Sequence, residues 1–141
     1  MAQGGRLAAG GSFEGLFYRP TVLADLDLDN PAFAEEIFGP VAPVTRFSSV
    51  DEVVDLVNAN EYGLSVGILG DVGTAMQIAD RVHSGKVHIN EQTVSDEANA
   101  PFGGVGASGT GARFGGATAN MEAFTEVQWL TMRPEIAPYP F

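Results

Sequence analysis

The chain has 141 residues, one domain's worth, and could bury roughly two-thirds of its unfolded surface. Its 45% apolar and 18% charged content excludes a disordered chain, and its lack of cysteine excludes disulfides and cysteine-built metal sites. A net charge of −11, with Lys86 the sole lysine, argues against nucleic acid or an anionic membrane surface as partner, because both reward clustered Lys and Arg. No run of 18 apolar residues spans a membrane, and the N-terminus lacks a signal peptide's apolar core.

The first twelve residues are glycine-rich and read either as a short strand or as an irregular start. Leu16 to Leu23 is extended, with Pro20 confining it to an edge or a break. Asp25, Asp27 and Asp29 alternate with Leu26 and Leu28; without a calcium loop's glycine and closing Glu, they read as a solvated edge. Asn30-Pro31 is a turn signal, and Pro31 to Ile37 reads as a short helix carrying Glu35 and Glu36. Val41 to Phe47 is a strand interrupted by Pro43.

Ser49 and Glu52 form a capping box. Val50, Val53, Val54 and Val57 then place one apolar stripe on a helix that stops between Asn60 and Gly63. Leu64, Val66 and Ile68 alternate as a strand. Asp71 caps a second helix with Ala75, Ile78, Ala79 and Val82 in its stripe and Gly85 as its C-cap. Lys86 to Asn90 is a further strand. Strand, helix, strand, helix, strand at these connection lengths predicts an α/β fold with parallel pairing, ligand residues gathering at the strands' carboxyl ends. Asn90 sits at one such end.

Glu91 to Pro101 is a polar loop, followed by seven glycines in residues 101–116. Gly104, Gly106 and Gly109 match the dinucleotide fingerprint as letters. They lack the preceding strand and following helix that would put a pyrophosphate on a helix N-terminus, so this is a turn-rich loop. Residues 117–124 read as a short helix. The segment that starts at Thr125 and ends at Met132 reads as a strand, apolar on both faces. His83 and His88 lack a second ligand at metal spacing, so surface or satisfied core histidines are expected and no metal site is assigned.

Glu35-Glu36-Ile37-Phe38-Gly39-Pro40-Val41 carries the chemistry. Gly-Pro makes a turn that feeds a strand, and a loop there can present Glu36 and Phe38 into a cleft. The carboxylate could accept hydrogen bonds from two neighbouring hydroxyls and the ring could pack on a flat heterocycle. From these residues alone, a charged helix end followed by a core Phe is the more ordinary reading.

Glu-Ile-Phe-Gly-Pro-Val closely resembles the motif of the aldehyde dehydrogenase superfamily. The resemblance runs from about Gly15 to about Trp129. The runs His88-Ile89-Asn90-Glu91-Gln92-Thr93-Val94 and Pro101-Phe102-Gly103-Gly104-Val105-Gly106 are most similar to the benzaldehyde and vanillin dehydrogenase branch. The resemblance implies the C-terminal part of a longer chain, with a three-layer, mostly parallel sheet and flanking helices. Residues 1–124 would be part of a catalytic domain, and residues 125–141 a C-terminal strand and tail that helps subunits associate into a homo-oligomer.

By the same resemblance, Glu36 and Phe38 contact an NAD or NADP cofactor, while Phe102 and the loop from Asn90 border an aldehyde pocket suited to an aromatic substrate. A cytoplasmic enzyme is implied. Where many relatives have Arg-Glu, this chain has Ala112-Arg113, which removes a borrowed water-positioning carboxylate. The family's chemistry needs a cysteine thiolate and a general-base Glu. This chain holds no cysteine, so no catalytic residue is assigned and inactivity alone is expected. The alternative expectation is a non-catalytic interaction module derived from the same family.

Overall fold

Two parallel strand pairs carry the computed structural model, which describes residues 4–138. In the first, β4 (Thr21–Ala24) runs alongside β5 (Val41–Val44), with Thr21 opposite Val41 and Ala24 opposite Val44. β1 (Arg6–Ala9) adds antiparallel on the other edge of β4, giving the order β1-β4-β5. Pro43 is tolerated because β5 is the sheet's edge, where one missing donor breaks no inner ladder. The connection holds α1 (Pro31–Ala34), capped by Asn30, whose Oδ1 accepts from Ala32 N–H at 2.9 Å. This helix is shorter than expected: Glu35 is its C-cap and Glu36 lies beyond it.

In the second pair, β7 (Ser65–Ile68) lies parallel to β8 (Lys86–Ile89), joined through α3 (Val72–Ala79) as the alternation predicted. α2 (Val50–Asn58) packs on α3, and its expected stripe turns inward, with Val54 buried. Three further pairings are small. β2 (Phe13–Glu14) and β3 (Phe17–Tyr18) form a hairpin, β6 (Tyr62–Gly63) pairs with β9 (Val105–Gly106), and Phe102 bridges Phe114. α4 (Ala117–Ala123) closes the regular structure.

Among the described residues the strands fall into separate small sheets, and no single three-layer parallel sheet is seen. β5 and β7 belong to separate sheets, and both border one open cavity, through Val41 and Pro43 on one side and Ser65 on the other. The expected strand at residues 125–132 is also absent; that stretch has no regular element. A strand needs a neighbour's backbone groups, and none among the described residues pairs with this stretch. The irregular tail continues to residue 138, and the expectation for residues 139–141 lies outside the described residues.

α3 ends at Ala79, well before Gly85. Asn58 diverts the chain: its amide donates to the Arg81 carbonyl at 3.0 Å and its Oδ1 accepts from His83 N–H at 2.8 Å. Gly85 is not a left-handed helix cap. It is needed because a Cβ there would overlap the Gly103 carbonyl of the glycine-rich loop.

The core is thin. Among the described residues, Ala24, Leu26, Val54, Ala75 and Ile78 are its buried apolar side chains, and no large side chain is completely enclosed. The accessible surface is 10907 Å², against roughly 7,000 Å² for a typical folded monomer of this mass. About half of the unfolded surface is buried, rather than the two-thirds expected. Large apolar side chains left exposed include Leu16, Phe17, Val127 and Leu130.

Candidate functional site

Glu36 follows α1 in the loop that enters β5. It lines a cavity of about 400 Å³ together with Glu35, Tyr62, Ser65 and Ser108. The walls are held by local bonds. Asn60 donates to the Phe33 carbonyl at 3.2 Å and accepts from Tyr62 N–H at 2.8 Å, tying the end of α1 to β6. Ser108 Oγ accepts from Gly63 N–H at 3.2 Å, which brings the glycine-rich loop to the same wall. Ser108 therefore positions backbone.

No hydrogen bond or ion pair engages the Glu36 carboxylate among the described residues. An uncommitted carboxylate on a cavity wall suits a ligand carrying adjacent hydroxyls. Phe38 is 94% exposed and does not line that cavity. Its ring is free on the surface two residues further on, beside the Gly39-Pro40 turn. Glu36 and Phe38 therefore share no cavity within this chain.

Phe102 belongs to a second cavity, of about 300 Å³, lined also by Lys86, His88, Glu91, Asp96 and Pro101. The two cavities share no lining residue, so Glu36 and Phe102 are not brought into one site within this chain. Phe102 is held by a two-way backbone bridge with Phe114, at 2.8 and 2.9 Å. The Lys86 ammonium lies 4.5 Å from the centre of its ring and pairs with Asp96.

Asn90 ends β8 in the left-handed region, with φ of 57°. Its side chain accepts from Gly70 N–H at 2.8 Å and donates to Gly70 C=O at 3.0 Å. The amide is thus spent on the β7–α3 connection and does not line the Phe102 cavity. His88 departs from the expectation of a satisfied histidine. Its Nδ1 lies 3.9 Å from Glu91, and its buried Nε2 has no hydrogen-bond partner among the described residues. Asp25, on the expected solvated edge, bridges Arg6 and Arg46 at 3.2 and 3.0 Å.

The residues that motif reading passed over are Lys86, Asp96 and Tyr62. Lys86 carried one signal, being the chain's sole lysine, on a strand that leads to the polar loop. Asp96 and Tyr62 carried none, because their placement depends on loops folding back over β8 and β6.

Comparison with known proteins gives the same direction from three sides. A family model described as the aldehyde dehydrogenase family matches residues 1–130. A vanillin dehydrogenase of an Amycolatopsis species is 58% identical, over 98% of this chain and 29% of its own length. A benzaldehyde dehydrogenase [NAD(+)] of Pseudomonas putida is 45% identical, over 98% of this chain and 28% of its own. The crystal structure of a salicylaldehyde dehydrogenase from Pseudomonas putida G7, complexed with salicylaldehyde, superposes with a TM-score of 0.83 at 37% identity. It is matched by 99% of this chain, over 29% of its own length. The chain therefore spans less than a third of the relatives it matches.

Proposed function

This chain belongs to the aldehyde dehydrogenase family, and from that premise we propose that it is the C-terminal part of the catalytic machinery of an NAD(P)-dependent enzyme oxidising an aromatic aldehyde to its acid. The observation that carries the proposal is the free Glu36 carboxylate on the wall of an open cavity, within the Glu-Ile-Phe-Gly-Pro-Val run. Glu36 would accept hydrogen bonds from the cofactor's nicotinamide ribose, and Phe38 would cover the nicotinamide side. Phe102 would form one wall of the aldehyde pocket, with the loop that starts at Asn90 forming another. When bound, the cofactor supplies the hydride acceptor.

The nucleophile must come from outside this sequence, which has no cysteine. The exposed large apolar side chains and the gap between β5 and β7 support a part that completes its three-layer sheet against further protein. No helix among the described residues is long and apolar enough to cross a membrane. A cytoplasmic location is part of the same proposal.

A second reading is favoured by one observation. Val127, Trp129, Leu130 and Met132 are all exposed in one stretch without regular structure. A non-catalytic module docking through residues 125–132 onto complete subunits would cover them.

The deciding experiment titrates NAD and NADP into the purified chain with benzaldehyde present, following reduced nicotinamide absorbance. The expected result is no turnover and at most very weak binding, since Glu36 and Phe38 alone do not offset an association cost of several kcal/mol. Turnover by this chain alone would overturn the proposal. The companion measurement co-expresses the chain with the remainder of an aromatic aldehyde dehydrogenase bearing its cysteine. Recovery of turnover, reduced by Glu36→Gln, supports the catalytic reading; stable association without turnover supports the docking module.

A further inference from the structure

The Lys86 side chain, only 13% exposed, joins three elements around the Phe102 cavity. It rises from the first residue of β8, its ammonium pairs with Asp96 in the polar loop, and the same ammonium sits 4.5 Å from the centre of the Phe102 ring. A cation over a ring face is drawn to the ring's negative quadrupole, more strongly where water is excluded. An ion pair to a half-exposed carboxylate is weak by itself. Here one ammonium makes both contacts, so moving the loop breaks both.

The rest of the loop has few ties. Ser65 Oγ donates to the Thr93 carbonyl at 3.1 Å, Ser95 Oγ donates to Glu91 at 2.7 Å, Ala100 N–H donates to the Glu97 carbonyl at 3.0 Å, Gly116 N–H donates to the Ala98 carbonyl at 2.9 Å, and His88 Nδ1 stands 3.9 Å from Glu91. No residue between Glu91 and Pro101 is fully buried, so apolar packing does little to fix this segment. Fixing it falls to the polar contacts, and Lys86 is the one that also reaches Phe102.

We propose that Lys86 is a positioning residue: it holds the loop of residues 91–101 and the Phe102 ring in one arrangement, and so sets the shape of the pocket wall. This rests on the reading of Phe102 and that loop as walls of an aldehyde pocket. Lys86 touches neither substrate nor cofactor in this role. Because its ammonium occupies one face of the ring, a flat ligand has only the opposite face and the edge.

Hydrogen exchange read by mass spectrometry on the full 141-residue chain tests it, with Lys86→Met, Lys86→Arg and Asp96→Asn beside the parent. Lys86→Met is expected to raise exchange in peptides covering residues 91–102 by roughly two- to fivefold, with α2 and α3 unchanged. Lys86→Arg should restore protection, since a guanidinium can both stack on the ring and pair with the carboxylate. Asp96→Asn keeps the ammonium on the ring and serves where Lys86→Met does not fold; it should raise exchange in the same peptides by less.

Unchanged loop exchange, a rise spread evenly over α2 and α3, or no rescue by Arg would overturn the proposal. The readout needs neither aldehyde nor cofactor. Its failure leaves the proposed function standing, whereas failed co-expression would leave the positioning contact intact.

Discussion

Asn90 and Gly70 close the carboxyl end of the β7–β8 pair like one extra rung of a ladder. The Asn90 amide both accepts from and donates to the Gly70 backbone, at 2.8 and 3.0 Å, while Asn90 N–H donates to the Ile68 carbonyl at 2.8 Å. A side chain here imitates a backbone strand, and it can do so because Asn tolerates the left-handed conformation that ends β8. The contact fixes the direction in which the polar loop leaves the sheet.

Replacing Asn90 should separate these effects. Asn90→Ala loses both bonds and puts at φ of 57° a residue that tolerates the left-handed region less well than Asn, for an expected loss of about 2 kcal/mol. Asn90→Gly loses the bonds without the strain and should cost about 1 kcal/mol less. Urea unfolding with a constant m-value checks both. Equal losses for Ala and Gly would mean that the backbone conformation contributes nothing.

Legibility divided along the same line. The β7–α3–β8 unit was readable because alternation, an Asp71 cap and an apolar stripe are all local signals. The position of Asn90 at a strand end was readable too, but the commitment of its amide to Gly70 was not, since that requires two loops twenty residues apart to meet. The β5–β7 neighbourhood failed for another reason: chain order suggests pairing, yet the edges stand apart around a cavity that no residue pattern announces. Glu36 was singled out through its motif, while its place on a cavity wall depends on β5 and β7 standing apart. Lys86 was missed because a lone lysine on a strand normally reads as solvated.

Gly85 supports the glycine-rich loop by having no side chain. A Cβ there would overlap the Gly103 carbonyl, whereas Gly39 has nothing within 4 Å of its virtual Cβ. Gly85→Ala is expected to cost about 1–3 kcal/mol. Gly39→Ala should stay within about 0.5 kcal/mol. Thermal melts of the pair decide it. Equal, small effects would show that the loop shifts freely off β8.

Acid should loosen the helix starts first. The Glu52 carboxyl lies below its ordinary value of 4.5, through the hydrogen bond from the Ser48 hydroxyl and then that from Ser48 N–H, both 2.7 Å. The capping box is thus offset by one residue: Ser49 caps as expected, but the return bond goes to Ser48. The Asp71 carboxyl is lowered from 3.8 by Thr74 N–H and then by the Thr74 hydroxyl. A lowered folded value means the stabilisation is fully present above the ordinary value and is lost as pH falls through the folded one. Helicity followed from about pH 6 to about pH 3 should therefore fall below 4.5 in the parent. Glu52→Gln should flatten the part of that fall belonging to α2. An unchanged profile in this variant would remove Glu52 as the cause.

Trp129 is the chain's only tryptophan and is 89% exposed, flanked by exposed Val127 and Leu130. Its emission reports on residues 125–132 without interference. For the chain alone at low concentration, emission is expected at the red, water-exposed limit, with full quenching by iodide or acrylamide. Adding a complete subunit of an aromatic aldehyde dehydrogenase should shift emission to the blue and protect against quenching, because burying an indole together with its apolar neighbours removes well over 100 Å² from water. The same shift on raising the concentration of the chain alone would mean that copies cover one another's segment. In that case Trp129→Lys should restore the monomer, since a charge placed in an apolar contact is left without a partner. Red emission under both conditions would exclude residues 125–132 as the docking segment, and the apolar edge of β5 would take its place as the surface to probe.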